Sequence, residues 1–300
     1  VEAVTKGNDQ FVIFFGACRC GFSFASYISI NCRLATATVI CTASKRLDSQ
    51  EQCAIDAEFH VQGFPFPMPD PASDAAIAIR ASNVTLSLGS AGAQVDILRG
   101  IDLDIGAGES LAILGPSGSG KSSLMAILSG LEQASGGSVS VADVDFTSLD
   151  EDGLARARRG RIGIVLQSFH LLPTMTALEN VAVPLELAGA ENPFKTATAE
   201  LEAVGIGHRL SHYPTQLSGG EQQRVAIARA LAPGPKIVFA DEPTGNLDAA
   251  TGGSIIDVLF DRKAAANSTL VIITHDVSLA ERCDRIVEMK DGKIVSDRRP

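Results

Sequence analysis

One eight-residue stretch, GPSGSGKS from Gly115 to Ser122, restricts the fold of this chain more than any other part of its sequence. It matches the pattern G-x-x-x-x-G-K-[ST] at every fixed position, with an apolar run before it and a helical pattern after it. Glycines let backbone N–H groups curl around a phosphate, Lys121 brings a charge for the β- and γ-phosphates, and Ser122 offers a hydroxyl to Mg²⁺. We therefore predict a nucleotide-binding loop between a strand and a helix. Its expected residues are Gly115, Pro116, Ser117, Gly118, Ser119, Gly120, Lys121, Ser122 and Ser123.

Apolar runs and helical patterns alternate along the chain on both sides of this loop. The runs SLAIL, RIGIVLQ, KIVFADEP and TLVIITHD have the length and composition of buried strands, and IAIRASNVTLSL and VDILRGIDLDI predict two more strands joined by a turn. Residues 176–231 are mostly helical, with breaks at Pro193 and Pro214, and Asp291-Gly292 marks a hairpin. The alternation predicts an α/β fold with a mainly parallel sheet, in which ligands bind at the carboxyl ends of the strands.

Polar side chains stand at the ends of three of these predicted strands. Asp241 and Glu242 end one strand, Gln167 ends another and His275 ends a third. Each of them alone would more simply be a solvated or capping side chain. Beside a phosphate loop, however, Asp241 can hold Mg²⁺, Glu242 can act as general base, Gln167 can reach the metal and the water, and His275 can bind the γ-phosphate. We predict Glu242, His275, Gln167 and Lys121 as the catalytic set, and Ser122, Gln167 and Asp241 as the metal ligands.

A second candidate anion site lies in the stretch LSGGEQQR, where two glycines expose the backbone just before a helix. Ser218 is placed to cap that helix, and the N-terminus of a helix carries free N–H groups and a partial positive charge. The residues that the pattern places at this site are Ser218, Gly219 and Gly220. Asp248, in GNLD, more simply caps the helix that follows it. The chain thus has two phosphate-binding elements, which raises the question of why one chain needs both.

Charge and cysteine content narrow the class of protein. The net charge is −10, which disfavours a role in coating nucleic acid, because such proteins carry a basic face. Five of the six cysteines lie in the first 67 residues, and Cys18-x-Cys20 does not have the spacing of a zinc site. The remainder of the chain has the composition of a reduced, cytoplasmic protein, and 45% hydrophobic residues are enough for a large core.

The first 67 residues differ from the rest of the sequence. They are apolar with little periodicity, and only 13 residues separate Arg19 from Arg33, too few to cross a bilayer as a helix. We interpret them as an atypical Cys-rich extension that is not native or is disordered, with a membrane-associating hairpin as the alternative.

A cluster of four prolines between Pro65 and Pro71 indicates a break in the chain. Met68, the first methionine, lies within it, so we expect the natural start at Met68. We predict a linker over residues 68–76 and a single domain over residues 77–300.

Taken together, GPSGSGKS, Gln167, LSGGEQQR, IVFADEP, GNLD and His275 resemble an ABC transporter ATPase subunit in their order and spacing, from Ile77 to the C-terminus. The resemblance implies a P-loop NTPase fold with a RecA-like core, an antiparallel β subdomain and a helical subdomain that carries LSGGEQQR. It implies that ATP hydrolysis, with Mg²⁺, drives a membrane permease. It also implies a head-to-tail homodimer in which Ser218, Gly219, Gly220, Glu221 and Asp248 contact the ATP bound by the second subunit.

Finer features, QSFHLLPTMTALENVAVPL and ADEPTGNLD, resemble the lipoprotein-releasing and macrolide-efflux group of that family. This implies export or extraction of lipoproteins, lipids or hydrophobic compounds, and a peripheral subunit on the cytoplasmic face of a bacterial inner membrane. One feature departs from the family: Leu88 stands near the position where an aromatic residue usually stacks on adenine. The apolar segment from Phe169 to Leu187 is interpreted as ordinary core or as a groove for a helix of the permease.

Two other functions compete with this interpretation. One is an ABC ATPase that moves no substrate, but the chain has a single GKS and a single LSGG, and the interval from Ser122 to Leu217 is too short for a long coiled coil. The other is an ABC ATPase of an importer, which the central motifs alone do not distinguish from an exporter.

Overall fold

The computed structural model describes residues 76–89 and 94–300, together with the backbone of five short strands among the first 60 residues. It divides into two units, Val1–Asp70 and Pro71–Pro300. In the first unit, three strands form one antiparallel sheet in the order β1-β2-β3, and two more pair antiparallel. The linker predicted over residues 68–76 lies outside the described residues except for Ala76. The five strands are β1 (Glu2–Lys6), β2 (Gln10–Phe14), β3 (Ile30–Asn31), β4 (Ile40–Lys45) and β5 (Ile55–His60).

Ten strands and seven helices of the second unit are described. The strands are β6 (Ile77–Leu88), β7 (Val95–Gly106), β8 (Ser110–Leu114), β9 (Gly136–Val141), β10 (Val144–Asp145), β11 (Ile162–Val165), β12 (Ile237–Asp241), β13 (Thr269–Ile273), β14 (Arg285–Lys290) and β15 (Lys293–Arg298). The helices are α1 (Lys121–Leu128), α2 (Glu151–Arg158), α3 (Ala177–Leu187), α4 (Pro193–Ala203), α5 (Gly219–Leu231), α6 (Ala249–Ala266) and α7 (Val277–Ala280). Single 3₁₀ turns lie at Gly207–Arg209 and Pro214–Gln216.

A six-stranded sheet in the order β11-β12-β13-β8-β14-β15 forms the centre of this unit, and all pairs are parallel except the terminal hairpin β14–β15. Its strands β8, β12 and β13 are apolar at nearly every position because both faces are covered. Ile113 and Phe239 belong to the core on one face, whereas Ala112 and Val238 belong to the core on the other, as the two-residue period of a strand requires. This confirms the predicted α/β class.

The core on one face of the parallel sheet is shared with a four-stranded sheet in the order β10-β9-β6-β7, whose pairs are all antiparallel. Ile79 and Ile105 of this second sheet are buried with Leu124 of α1. The core on the other face is shared with the helices from α3 to α5, through residues such as Leu201 and Ile227. These are the β subdomain, the helical subdomain and the core that the family resemblance implied.

The predicted breaks are confirmed, because Pro193 and Pro214 begin α4 and the second 3₁₀ turn. The predicted hairpin is confirmed as well. Asp291 and Gly292 both have positive φ, 50° and 75°, as the two central residues of a type I′ turn require. The strands β9 and β10 were not predicted. Within the described ranges, no helix has the length and hydropathy that a membrane crossing requires.

Candidate functional site

The predicted phosphate loop joins the carboxyl end of β8 to the first residue of α1. Gly120, which precedes α1, has a φ of 96°, and no side chain of the described residues caps this end of the helix. The first N–H groups of α1 are therefore left to bind an anion, with the positive end of the helix dipole behind them.

Glycine is required at two loop positions because other parts of the chain approach closely. A Cβ on Gly115 would lie 2.2 Å from the carbonyl oxygen of Met289, and one on Gly120 would lie 2.8 Å from Leu98 Cδ2. The turn of the terminal hairpin adds a bond, since Gly292 N donates to the Ser119 carbonyl at 3.2 Å. The loop thus rests on β7 and on the β14–β15 hairpin.

The Lys121 side chain is turned into the loop that precedes it. Its residue is only 8% exposed, and Nζ donates to the carbonyls of Gly115 and Pro116 at 2.9 Å each. The ammonium group consequently lies inside the loop, where a bound phosphate would meet it.

Asp241, at the end of β12, lies beside the first turn of α1. Burial raises the pKa of Asp241, and the charge of Glu242 raises it further, whereas a hydrogen bond with Ser122 and the charge of Lys121 lower it. The structure thus brings Asp241 to Ser122 and Lys121, which lie about 120 residues earlier in the sequence.

Glu242 and His275 also meet, with His275 Nδ1 3.1 Å from Glu242 Oε1. Glu242 has a φ of 42°, in the left-handed region, which costs a residue with a Cβ about 1–3 kcal/mol. Hydrogen bonds hold this conformation, because Glu242 N donates to Ile273 O at 2.9 Å and Gly245 N donates to Glu242 O at 3.0 Å. Backbone strain of this kind concentrates at functional sites.

Gln167 is brought next to Glu242 by the turn that follows β12. A Cβ on Gly245 would lie 2.8 Å from Gln167 Nε2 and 3.1 Å from Glu242 Oε2, so both side chains border the same glycine. Asn246 Nδ2 donates to the Gln167 carbonyl at 2.9 Å. Neither Gly245 nor Asn246 was predicted as a site residue. Their presence in GNLD, next to the predicted Asp248, is the signal that could have revealed them.

At LSGGEQQR, the structure confirms that Ser218 caps the following helix, α5. Ser218 Oγ accepts from Glu221 N at 3.3 Å, and Glu221 Oε2 accepts from Ser218 N at 2.8 Å. Arg209 Nε also donates to Glu221 Oε1, at 2.9 Å. These backbone and side-chain bonds from Ser218, followed by Arg209, lower the pKa of Glu221 from 4.5 to about 2.

This shift predicts how acid affects the region. Because the pKa of Glu221 is lower in the folded state, its charge stabilises the fold fully above about pH 5 and loses this effect as the pH falls toward 2. We expect Glu221→Gln to lower the free energy of unfolding at pH 7 and to lower it much less near pH 3. Urea unfolding of both chains across this range measures the difference, and an undiminished difference at low pH would contradict the assignment.

The glycines of LSGGEQQR pack against the start of α6. A Cβ on Gly220 would lie 2.6 Å from Thr251 Cγ2, and one on Gly219 would lie 3.4 Å from Leu247 Cδ2. Asp248 caps α6 by accepting from Thr251 N at 3.0 Å, as predicted. The structure therefore brings the second candidate anion site and Asp248 to the same place.

Leu88, predicted near adenine, is the last residue of β6 and is half exposed. Its partner across the antiparallel pair is Val95, which is also exposed. The ends of the two strands thus present two aliphatic side chains.

Comparisons with known proteins agree with this geometry. A sequence profile described as ABC transporter matches residues 98–245. The lipoprotein-releasing system ATP-binding protein LolD of Anaeromyxobacter dehalogenans is 51% identical over 67% of this chain and 85% of its own length. The macrolide export ATP-binding/permease protein MacB of Marinobacter nauticus is 48% identical over 73% of this chain, which spans only 34% of that protein.

Among solved structures, a dimeric post-hydrolysis state of the ATP-binding cassette MJ0796, bound to ADP and Pi, matches with a TM-score of 0.69 and 38% identity. It covers 74% of this chain and 98% of that one. Because the match covers nearly all of that chain, it supports the fold of a whole cassette. The chain therefore belongs to the ABC transporter family, as an ATP-binding and ATP-hydrolysing subunit with the P-loop NTPase fold.

Proposed function

We propose that residues 77–300 form the ATPase domain of a transporter subunit that works as a homodimer around two ATP molecules. The observation that carries this proposal is that one chain contains two anion-binding elements: the loop around Lys121 and the N-terminus of α5 at Ser218. The dimeric state of the related cassette MJ0796, with ADP and Pi bound, supports the same arrangement. In the dimer proposed for this chain, each ATP lies between the phosphate loop of one subunit and the Ser218 turn of the other.

The predicted residues then have distinct roles. The Gly115–Ser123 loop binds the phosphates, and the aliphatic end of the β6–β7 hairpin at Leu88 contacts adenine. Glu242 polarises the attacking water. His275, whose Nδ1 lies 3.1 Å from Glu242 Oε1, orients that water and binds the γ-phosphate. The contacts to the second subunit's ATP are made by Ser218, Gly219, Gly220, Glu221 and Asp248.

The residues predicted for Mg²⁺ fit a hard cation. The Asp241 carboxylate is partly buried and hydrogen-bonded to the Ser122 hydroxyl, and the Gln167 amide lies beside Glu242. Carboxylate, hydroxyl and amide oxygens are the ligands that Mg²⁺ prefers. When bound there, Mg²⁺ would neutralise charge on the β- and γ-phosphates.

We propose that the domain drives an integral permease from the cytoplasmic face of a bacterial inner membrane, with no nucleic acid as partner. The names of the relatives, a lipoprotein-releasing system and a macrolide exporter, favour lipoproteins, lipids or other hydrophobic compounds as cargo. The test is to purify the tagged chain with its permease in lipid nanodiscs and to measure ATP hydrolysis with a diacylated lipopeptide or with a macrolide. Stimulation by one of them supports export, and stimulation by neither contradicts it.

Exposed apolar side chains of the helical part support a docking surface for the permease. Leu172, Leu187, Phe194 and Tyr213 are each 42–60% exposed, whereas Leu171 packs against the core. Leu171 and Leu172 therefore differ in environment, and Leu172 is the more exposed of the two.

We expect Leu172→Asp to keep ATP binding and to reduce co-purification of the permease about tenfold, because it places a charge in a contact that excludes water. Val295→Asp, at a more exposed aliphatic position on β15, is the control and should leave co-purification unchanged. Undiminished co-purification with Leu172→Asp would contradict the docking surface.

A further inference from the structure

The helix α5 contains a fully buried polar side chain that the proposed roles do not use. Gln223 is 0% exposed, and its Nε2 donates to the carbonyl of Pro243 at 2.8 Å. Its Oε1 is buried and has no hydrogen-bond partner among the described residues. An apolar side chain at this core position would avoid the cost of burying an unpaired oxygen. Among the described contacts, what a glutamine offers here and an apolar side chain does not is the hydrogen bond to Pro243. Pro243 directly follows Glu242, the proposed general base.

A second polar side chain of α5 reaches the segment after Gln167. The two terminal nitrogens of Arg229 donate to the carbonyls of Phe169 and His170, at 2.7 and 2.6 Å. Both of these residues have positive φ, 61° and 46°, so two consecutive residues with a Cβ are held in the left-handed region. Partial burial lowers the pKa of the Arg229 guanidinium, which nevertheless keeps its charge and its planar pair of donors.

The same segment also touches the other end of α5. Phe169 Cζ lies 3.9 Å from the position that a Cβ on Gly219 would occupy, one residue after Ser218. The helix α5, which begins directly after Ser218, is therefore hydrogen-bonded to the backbone beside Glu242 through Gln223. It is also hydrogen-bonded to the backbone beside Gln167 through Arg229.

We propose that Gln223 and Arg229 are positioning residues for the chain's own ATP site, which they connect to Ser218 through α5. The inference rests on the proposed dimer, in which Ser218 closes on the ATP of the second subunit. When Ser218 closes on that ATP, α5 moves with it and carries Gln223 and Arg229. Through their bonds to the backbone beside Glu242 and Gln167, Gln223 and Arg229 then hold these two side chains at the γ-phosphate of the ATP bound by the same chain. Closure of one site thereby aligns the catalytic side chains of the other.

The chain offers a matched control on the same helix. Arg224 also donates two hydrogen bonds, to the Val204 carbonyl and to Ser254 Oγ, each at 2.7 Å. Neither of these partners belongs to the segments beside Glu242 or Gln167. Arg224→Gln therefore removes a comparable pair of bonds from α5 without releasing the ATP site.

The experiment compares Gln223→Met, Arg229→Gln and Arg224→Gln in the full chain. It measures kcat for ATP hydrolysis, affinity for a fluorescent ATP analogue, the thermal midpoint, and the ATP-dependent dimer in a Glu242→Gln background. We expect the first two variants to lower kcat about 10- to 100-fold, because small displacements of catalytic groups have effects of this size. Their ATP affinity and their trapped dimer should stay within about threefold, since the Lys121 loop and the Ser218 turn are unchanged. Arg224→Gln should keep kcat within about twofold while lowering the thermal midpoint.

The inference is overturned if Arg224→Gln lowers kcat as much as Gln223→Met and Arg229→Gln do. It is also overturned if the loss of kcat in Gln223→Met and Arg229→Gln is fully explained by a smaller fraction of dimer or by a lower thermal midpoint. Arg229→Lys keeps the positive charge but loses the planar pair of donors, so its kcat should lie between that of Arg229→Gln and that of the parent chain. It replaces Arg229→Gln in the comparison if Arg229→Gln does not fold. Failure of the proposed dimer is recognised separately, because Glu242→Gln alone would then form no dimer with ATP.

Discussion

We expect Glu242→Gln to hydrolyse ATP about 10²- to 10⁴-fold more slowly than the parent chain, the range that loss of a general base produces. Glutamine has nearly the same shape and keeps the left-handed backbone, so the hydrogen bonds from Glu242 N and to Glu242 O should survive. It lacks only the carboxylate that, in the proposed role of Glu242, takes a proton from the attacking water. Release of phosphate at saturating ATP and Mg²⁺ measures the rate, and a fluorescent nucleotide checks that binding is retained.

A control separates this effect from a general change of charge. Glu281, exposed just after α7, can be replaced by Gln with an expected change in rate of less than about twofold, as is usual for surface positions. If Glu242→Gln keeps more than about a tenth of the parent rate, the base must lie elsewhere.

The second large effect is expected from Gly115→Ala, which should lower the free energy of unfolding by about 3 kcal/mol or more and abolish ATP binding. The new Cβ would lie 2.2 Å from the Met289 carbonyl oxygen and 2.8 Å from Ser119 Oγ, and backbone atoms of β14 cannot yield without moving the sheet. The φ of 152° adds strain at a position where glycine is preferred. Urea unfolding and nucleotide binding are the measurements.

Gly118→Ala is the matched control within the same loop. Its φ of 78° also strains a residue with a Cβ, but the added atom would meet no described atom within 4 Å. We expect it to lower the free energy of unfolding by only about 1–2 kcal/mol, the usual penalty of the left-handed region. Equal losses for the two variants would show that backbone strain, and not the contact with β14, sets the requirement for glycine at Gly115.

The fold and the ends of the strands could be predicted because they depend on local pattern. Continuous apolar runs marked the strands of the parallel sheet, and parallel strands end at one edge, so Gln167, Asp241 and His275 were expected near the phosphate loop from their positions alone. The capping roles of Ser218 and Asp248 were likewise readable, because a cap depends on residues three positions apart.

What could not be predicted depends on contacts between segments distant in sequence. Arg229 bonds carbonyls about 60 residues earlier, and Asn246 bonds Gln167 about 80 residues earlier, so no local pattern reports either bond. The left-handed conformation of Glu242 is likewise imposed by β13 and by the turn at Gly245. The short polar strands β9 and β10 exist because they pair with β6 and with each other, and not because of their own composition.

The central claim is that each ATP site is completed by Ser218 of a second subunit. The most direct test is the oligomeric state of Glu242→Gln with ATP, measured by size-exclusion chromatography with light scattering, with and without Ser218→Arg. We predict a dimer with ATP for the single variant, and a monomer that still binds ATP for the double variant, because an arginine at Ser218 obstructs the closing turn. A double variant that still dimerises with ATP would contradict the shared site.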